Sequence, residues 1–129
     1  DHTQVTGILD FGDMVHAPLV NDVAVAASYQ LDPDSDPLHT IARFAADYHR
    51  VSPLTAEEMF VLLDLVRARL AMVVAISGWR AARQPENAPY LMRNNAVSWA
   101  RLVACADLQA EQALAAIEAA CRNQDPHHA

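Results

Sequence analysis

The segment Val5–Asp13, with the sequence Val-Thr-Gly-Ile-Leu-Asp-Phe-Gly-Asp, decides how the fold is interpreted. Its apolar residues alternate or run together between Gly7 and Gly12, which predicts a strand that ends in a tight turn. A single strand cannot satisfy its own backbone N–H and C=O groups, and no later segment has a convincing strand pattern. The sequence therefore predicts that this strand pairs within a larger domain or, alternatively, that two copies of the chain pair their strands.

The chain after the turn has the pattern of helices with clear start signals. The third helix is the longest, and its centre, Leu70–Ile76, is apolar all round, so we expect it to be the buried central helix. Arg67 and Arg69 lie in this apolar helix and need partners, one of which is Asp64. The first predicted helix spans 22–31 and is capped by Asn21, and the second begins at Asp36 and Pro37. The third is long and runs from a capping box of Thr55 and Glu58 to about Gln84. A fourth begins at about Tyr90 and continues or breaks near Asp107, and the last ends at about Arg122.

Composition limits the classes of partner. The 129 residues suffice for one domain, and 53% of them are hydrophobic, which allows a substantial core. The formal net charge is −7, and every basic residue is an arginine. No basic stripe exists, so we expect no nucleic acid and no anionic membrane as a partner. No signal peptide opens the chain, and the longest apolar stretch, Leu70–Ser77, is far shorter than the ~20 residues of a membrane span, so we expect a cytoplasmic protein.

The turn Asp10–Gly12 is the segment with the clearest chemical character. A carboxylate at the end of an apolar strand, followed by an aromatic anchor and a glycine, suits a metal-bound phosphate. Magnesium prefers oxygen ligands and takes only one or two of them from protein. Taken without further context, the same three residues also fit an ordinary structural turn.

The segment Val5–Met14, followed by Asn21–Ala24, resembles the metal-binding end of the aminoglycoside phosphotransferase and choline kinase superfamily. In that superfamily a hydrophobic strand ends in a metal-binding Asp, and a helix that opens with Asp, an apolar residue and Ala follows shortly afterwards. The Asp-Phe-Gly-Asp-Met form of the turn, together with Arg67–Leu70 and Trp79-Arg80, is most similar to the hydroxylysine kinase-like branch. The resemblance extends from residue 1 to about residue 105.

This resemblance implies a mainly α fold: the helical C-lobe of a protein-kinase-like fold with a short β remnant at its N-terminus. It divides the chain into the strand and metal-binding turn (1–20), a helical substrate-binding subdomain (21–106) and a C-terminal helix with its tail (107–129). It implies Mg²⁺ with ATP or GTP as cofactors and a small-molecule acceptor. It singles out Asp10 as the metal ligand, Asp13 near that ligand or facing the acceptor, and Asp22 as structural support. The residues themselves add weaker candidates: His16 near phosphate or substrate, and Trp79 and Arg80 as lining of a pocket. The plainer alternatives are turn capping for Asp13, an exposed loop for His16 and a helix flank for Trp79 and Arg80.

The chain also departs from the superfamily pattern. The His-Gly-Asp catalytic loop, the glycine-rich phosphate loop and the phosphate-binding lysine all have no counterpart here. We therefore predict no catalytic residue in this chain, an inactive isolated chain, and a missing N-terminal lobe of the same protein as its partner. A homodimer through the exposed strand or helices is a further expectation. The alternative function is a non-catalytic helical module for association or regulation, which the low content of charged residues, 19%, would suit.

Overall fold

The computed structural model describes residues 4–7, 9, 12, 15–32 and 34–124, the last of these by its backbone alone. Within these ranges there is no strand, and the mainly α class is confirmed. The elements are α1 Leu19–Gln30, α2 Pro37–His49, α3 Ala56–Arg83, a 3-10 turn Pro85–Asn87, α4 Ala88–Leu91, α5 Asn95–Ala106 and α6 Ala110–Gln124.

The β remnant predicted at the N-terminus is not found in the part of the segment that the structure describes. Residues 4–7 and 9 are not in a strand, and Val5 and Leu9 are 89% and 88% exposed. Ile8, Asp10 and Phe11 of the predicted strand lie outside the described residues. A strand requires a paired neighbour, and the described residues of this chain offer none, which is the physical reason for the difference.

Two of the predicted helix starts are confirmed. The Asp36 side chain accepts a hydrogen bond of 2.9 Å from the backbone N–H of Leu38, with Pro37 in the first helical position. The capping box is complete, because Thr55 Oγ1 accepts from the Glu58 N–H at 3.3 Å and Glu58 Oε2 accepts from the Thr55 N–H at 2.8 Å. Both caps satisfy N–H groups that a helix leaves unpaired at its start.

The predicted cap at Asn21 is wrong. The first helix begins at Leu19, and the Asn21 N–H donates to the Pro18 carbonyl at 3.0 Å, inside the first turn. The earlier start buries Val20, which is 4% exposed, and the apolar contact outweighs the local preference for Asn at a cap.

One core forms from α1, α2, the first half of α3 and one face of α6. The first helix packs against α2 and α3, α2 packs against α6, and α3 packs against α5. The facing surfaces of α2 and α6 are rich in alanine, and small side chains let two helices approach closely. The largest fully buried side chains are Val23, Ile41, Leu62, Val66, Leu70, Cys105 and Ile117.

The prediction that Leu70–Ile76 would be the buried centre of the chain is wrong. Burial in α3 ends at Leu70, and Met72 and Ile76 are 51% and 47% exposed. The cause is a difference in length: α3 has 28 residues and α1 has 12, so the helices are about 42 Å and about 18 Å long. The first helix can therefore cover less than half of α3, which also packs against the 3-10 turn, α4, α5 and α6.

Two arginines hold the C-terminal ends of helices. Arg67 forms the expected ion pair with Asp64 at 3.4 Å, but its guanidinium also donates to the carbonyls of Cys105 (2.7 Å), Ala106 (3.2 Å) and Leu108 at the end of α5. Arg101 does the same for the end of α1, where it donates to Leu31 O at 2.7 Å and to Tyr29 O at 3.2 Å. The last carbonyls of a helix lack partners in a following turn, and a cation there also suits the helix dipole. The Cys105 carbonyl accepts from the Leu108 N–H as well, at 3.3 Å.

Because the thiol of Cys105 is buried, we expect the fold to lose stability at alkaline pH. This residue is 0% exposed, and burial raises the pKa of its thiol, with the neighbouring charge of Arg67 opposing that shift in smaller part. A thiol of the unfolded chain ionises near pH ~8.5, so the stabilisation that comes from keeping Cys105 neutral is complete below that pH and is lost as the pH rises through the folded-state pKa.

We expect the urea midpoint to fall between about pH 8 and about pH 10, and to fall less in a Cys105→Ala variant, which has no thiol to ionise there. Equilibrium unfolding at several pH values, followed by circular dichroism, measures the difference. Parallel pH curves for the two proteins would show that ionisation of Cys105 does not contribute to the loss of stability at alkaline pH.

Candidate functional site

The two carboxylates predicted at the metal turn, Asp10 and Asp13, lie outside the described residues, and their roles stay predictions. Gly12 is exposed and lies in a turn, and His16 is exposed in the non-helical segment before α1. Asp22 lies in the first turn of α1, where the helix dipole favours a negative charge. Among the described residues, no group of three His, Cys, Asp or Glu side chains could hold a metal ion.

Trp79 and Arg80, predicted together as substrate residues, lie on different sides of α3. Consecutive helical residues point about 100° apart, so the pair cannot share one face. Trp79 is 62% exposed, and its ring lies under the guanidinium of Arg83, with the Arg83 Cζ 5.0 Å from the ring centroid. This cation–π contact accounts for Trp79 as part of the helix flank. Arg80 lines a cavity.

That cavity lies along the second half of α3 and reaches α4, and we call it the α3–α4 groove. Its volume is about 210 Å³. Four of its lining side chains are apolar, one is a hydroxyl and two are guanidinium groups, and no acidic side chain is among them. The lining residues are Arg69, Met72, Val73, Ile76, Ser77, Arg80 and Leu91.

Arg69 is the groove residue with the most constrained side chain. Its Nη2 donates to the hydroxyl of Tyr29 at 3.1 Å, and its Cζ lies 5.8 Å from the centroid of the same ring. Its Nε is buried and has no hydrogen-bond acceptor among the described residues. A buried donor without an acceptor costs about 1–3 kcal/mol, so Arg69 is held at the groove at the expense of stability.

The polar contacts of Ser77 fix the floor of the groove. The Asn95 Nδ2 donates to Ser77 Oγ at 2.8 Å and to the carbonyl of Val74 at 3.0 Å, and Ser77 Oγ donates to the carbonyl of Val73 at 2.6 Å. These bonds join the start of α5 to the middle of α3, with α4 in between. The groove therefore has a rigid wall with a mainly apolar surface and positive charge from two side chains.

A larger cavity, of about 370 Å³, lies between α1 and α2 and has a different character. It is lined by charges of both signs, including Arg43 and Asp47, together with His39 and Gln30. Such a surface has no net preference for a cation or an anion. The α3–α4 groove has a single sign of charge, and it is therefore the better candidate for selective binding.

Sequence reasoning pointed to Arg80 but not to Arg69 as a site residue. The one signal for Arg69 was chemical: an arginine in an apolar helix needs a partner. That partner is Tyr29, forty positions away in sequence, and only the folded chain brings the two together.

Known proteins resemble the chain over both its N-terminal segment and its helices. Residues 1–54 match the model of the phosphotransferase enzyme family. The chain is 34% identical to the hydroxylysine kinase of Mus musculus over 99 residues, 77% of its length, and 32% identical to that of Xenopus laevis over 108 residues, 84% of its length. The chain belongs to the phosphotransferase enzyme family. It spans 26% of the mouse protein and 29% of the frog protein.

The likeness to these hydroxylysine kinases extends well beyond the part that the family model matches. A run of 99 residues in a chain of 129 leaves out only 30, so it must include residues 31–99. That range contains α2, α3, α4 and all seven groove residues, six of which are on α3. No solved structure matches the chain. None of the described helices is long and apolar enough to cross a membrane.

Proposed function

We propose that the chain is the acceptor-binding helical part of a small-molecule kinase. The full-length enzyme would transfer the γ-phosphate of ATP or GTP to a hydroxyl group of a small amine, amino acid or aminoglycoside, in the cytoplasm. The observation that carries this proposal is the continuous likeness to hydroxylysine kinases through residues 31–99, the helices that form the α3–α4 groove. A likeness confined to the metal turn would have suited any kinase of the family.

Within this proposal Asp10 is the magnesium ligand. A carboxylate is the oxygen donor that Mg²⁺ prefers, and one or two protein carboxylates are its usual share, so a single Asp from this chain fits the ion. When bound, Mg²⁺ neutralises charge on the nucleotide phosphates. Asp13 and His16 follow the ligand closely in sequence and are proposed to face the ligand or the acceptor, and Asp22 supports the turn from the start of α1.

The isolated chain lacks groups that phosphoryl transfer needs. Phosphoryl transfer depends on positioning and on charge neutralisation around the phosphates, and this sequence has no lysine to place there and only three glycines. We propose that an N-terminal lobe of the same protein holds the nucleotide and supplies the catalytic base. The 129-residue chain would then be inactive without it.

A kinase assay on the full-length enzyme tests the proposed function. With Mg²⁺ and either ATP or GTP, we expect phosphorylation of at least one acceptor from 5-hydroxylysine, choline and an aminoglycoside. Isothermal calorimetry of the same protein should show binding of the Mg²⁺–nucleotide complex. No nucleotide binding and no phosphorylation of any of the three acceptors would refute the proposal.

A second candidate function is a non-catalytic association module. Exposed apolar side chains on α3 and α5 favour it, since Phe60, Trp99 and Val103 are 62%, 56% and 55% exposed. Trp99 and Val103 are four positions apart on α5 and therefore adjacent, and adjacent exposed apolar side chains are typical of interaction sites. Light scattering gives the oligomeric state, and calorimetry gives nucleotide binding. A dimer that binds no nucleotide supports the association module, whereas a monomer that binds Mg²⁺ and ATP supports the kinase.

A further inference from the structure

We infer that the outer side of α3 and α5 is the docking surface for a helix from the N-terminal part of the same protein, a helix with an apolar face and acidic residues beside it. We call this surface the α3–α5 outer face. It runs along α3 from residue 68 to residue 82 and along α5 beside it, and its large side chains are Met72, Trp79, Trp99 and Val103. The inference rests on the proposed function, which puts an N-terminal lobe before this chain, and it adds where that part packs.

The outer side of α3 carries no charged side chain over this range. The residues at positions 71, 72, 75, 78 and 79 follow the spacing of one helix face, and all of them are apolar or glycine. Met72 and Trp79 are 51% and 62% exposed. The solvent side of a helix is normally polar, so this side of α3 has the composition of a surface that packs against another element.

The three polar side chains of α5 are all used inside the chain. Asn95 bonds to α3, Ser98 is only 5% exposed, and Arg101 holds the end of α1. The outward side of α5 is left to apolar residues, and Trp99 and Val103 are 56% and 55% exposed. Polar groups inside and an aromatic ring outside reverse the usual pattern of a surface helix.

The two helices bring these side chains onto one surface. Asn95, at the start of α5, bonds to Ser77, whereas the carbonyls at the end of α5 bond to Arg67, so the two helices are antiparallel. Trp99 follows Asn95 by about one turn and therefore stands about level with Met72. The apolar side of α5 continues that of α3.

Gly78 supports the docking surface independently of hydrophobicity. Glycine in the interior of a helix is destabilising relative to alanine. No atom of the described residues lies within 4 Å of the place that a Cβ at Gly78 would take, so packing in this part of the chain does not require a glycine there. A helix that approaches α3 closely from outside would require it.

The size of the face suits a contact within one protein. Residues 68–82 measure about 21 Å along α3 and two packed helices are about 20 Å across, so the face offers roughly 400 Å². A partner that covered it would bring the buried area to roughly 800 Å² over both sides, within the range of about 600–1,500 Å² for interfaces between parts of one chain. A stable complex of separate proteins typically buries about 1,600 Å², so a second copy would find only about half of what it needs.

The charges of α3 also favour the same protein over a second copy. Every charged residue of α3 after Asp64 is an arginine, and Arg83 packs on Trp79 at the end of the outer face. A second copy packed through the same range of α3 would bring the same arginines and no acidic residue, and like charges in an interface are unfavourable. A helix with acidic residues beside its apolar face would pair with Arg83 instead.

The relatives have enough additional chain to cover this face. The likeness to the mouse hydroxylysine kinase includes residues 31–99 and therefore the whole of α3, and the chain spans 26% of that protein. About three quarters of the mouse protein thus lies outside the part that this chain spans. The N-terminal lobe of the proposed enzyme is the part that we assign to the outer face.

Photo-crosslinking on the full-length enzyme identifies what covers the face. Trp79 is replaced by the photoreactive residue p-benzoylphenylalanine, and the crosslinked peptide is identified by mass spectrometry. We expect a peptide upstream of Asp1 that has acidic residues beside an apolar helical pattern. The same probe at Ala115, an exposed alanine on α6, is the matched control and should give no such crosslink.

Oxidation of the wild-type enzyme by hydrogen peroxide tests the same point without any substitution. Met72 is 51% exposed in this chain and Met92 is 38% exposed, so Met72 would react at least as fast as Met92 if nothing covered it. With the N-terminal part docked, we expect Met72 to be oxidised about tenfold more slowly than Met92.

A charged substitution in the face measures its contribution to the full-length enzyme. Ala75→Arg puts an unpaired charge into the contact and should lower the midpoint of thermal unfolding by about 5 °C or more. Ala115→Arg makes the same change at an exposed alanine outside the face and should shift the midpoint by about 1 °C at most. Equal shifts for the two variants would count against the docking surface.

The outcomes separate this inference from the proposed function. Met72 oxidised as fast as Met92, or a crosslink that stays within residues 1–129, would overturn the docking surface and leave the kinase proposal standing. A covalent dimer would also overturn it and would favour the association module. An upstream crosslink in a monomer that binds no nucleotide would support the docking surface while the kinase proposal fails.

Discussion

Replacing Arg67 with methionine is expected to lower the free energy of unfolding by about 3 kcal/mol. The guanidinium donates to three carbonyls at the end of α5, and hydrogen bonds to a charged donor contribute about 1.5–3 kcal/mol each. Methionine keeps most of the apolar stem but removes all of these donors. The Cys105 carbonyl keeps the Leu108 N–H as a donor at 3.3 Å, so the expected loss comes from the broken bonds to the charged guanidinium.

Urea denaturation followed by circular dichroism measures this change. Arg122→Met is the matched control, because Arg122 forms an exposed ion pair with Glu118 at 3.6 Å, and such pairs contribute about 0–1 kcal/mol. Arg67→Lys should lie between the two, since an ammonium keeps the charge but cannot span the same carbonyls. A loss for Arg67→Met no larger than that for Arg122→Met would mean that these bonds do not stabilise the fold.

Local signals in the sequence predicted the helix starts well where the cap is formed by side chains. Asp36 before Pro37 and the pair Thr55 and Glu58 satisfy N–H groups within three residues, so no distant part of the chain is needed. The cap at Asn21 failed because tertiary packing intervened. Burial of Val20 against the core extends α1 past a residue that has good local chemistry for a cap.

Predictions that depended on which helices lie side by side were weaker. The apolar run Leu70–Ile76 indicated a buried helix, but hydrophobicity alone does not show how far a neighbouring helix extends. The first helix is too short to cover it. The partners of Arg67 show the same limit: Asp64 was predicted from its spacing, whereas the carbonyls of α5 lie 38 or more positions away.

For the candidate site, the sequence is informative about the metal turn and the structure is informative about the α3–α4 groove. The metal turn was recognised by resemblance, since Asp-Phe-Gly by itself fits an ordinary turn, and residues 10 and 11 lie outside the described ranges. The groove was found only in three dimensions. The sequence singled out Arg80 as a candidate site residue and Arg69 as an arginine in need of a partner, but only the structure shows that both line one cavity without acidic residues.

Replacing Asp10 with asparagine is expected to lower kcat/KM of the full-length enzyme by roughly 10²- to 10³-fold, the range found when a single preorganised electrostatic contact at a reacting centre is removed. Asparagine keeps the shape of the side chain and loses its negative charge, and Mg²⁺ binds neutral amide oxygens less well than carboxylates. The stability of the fold should hardly change.

The signature of a lost metal ligand, as opposed to a disturbed turn, is its dependence on Mg²⁺. For Asp10→Asn, the Mg²⁺ concentration at half-maximal rate should rise, and added Mg²⁺ should restore part of the activity. Asp34→Asn is the matched control, because Asp34 is an exposed carboxylate in a turn between α1 and α2 and should behave as the wild type does. If Asp10→Asn binds Mg²⁺–ATP as tightly as the wild type and keeps its rate, the carboxylate has no metal role and the turn is structural.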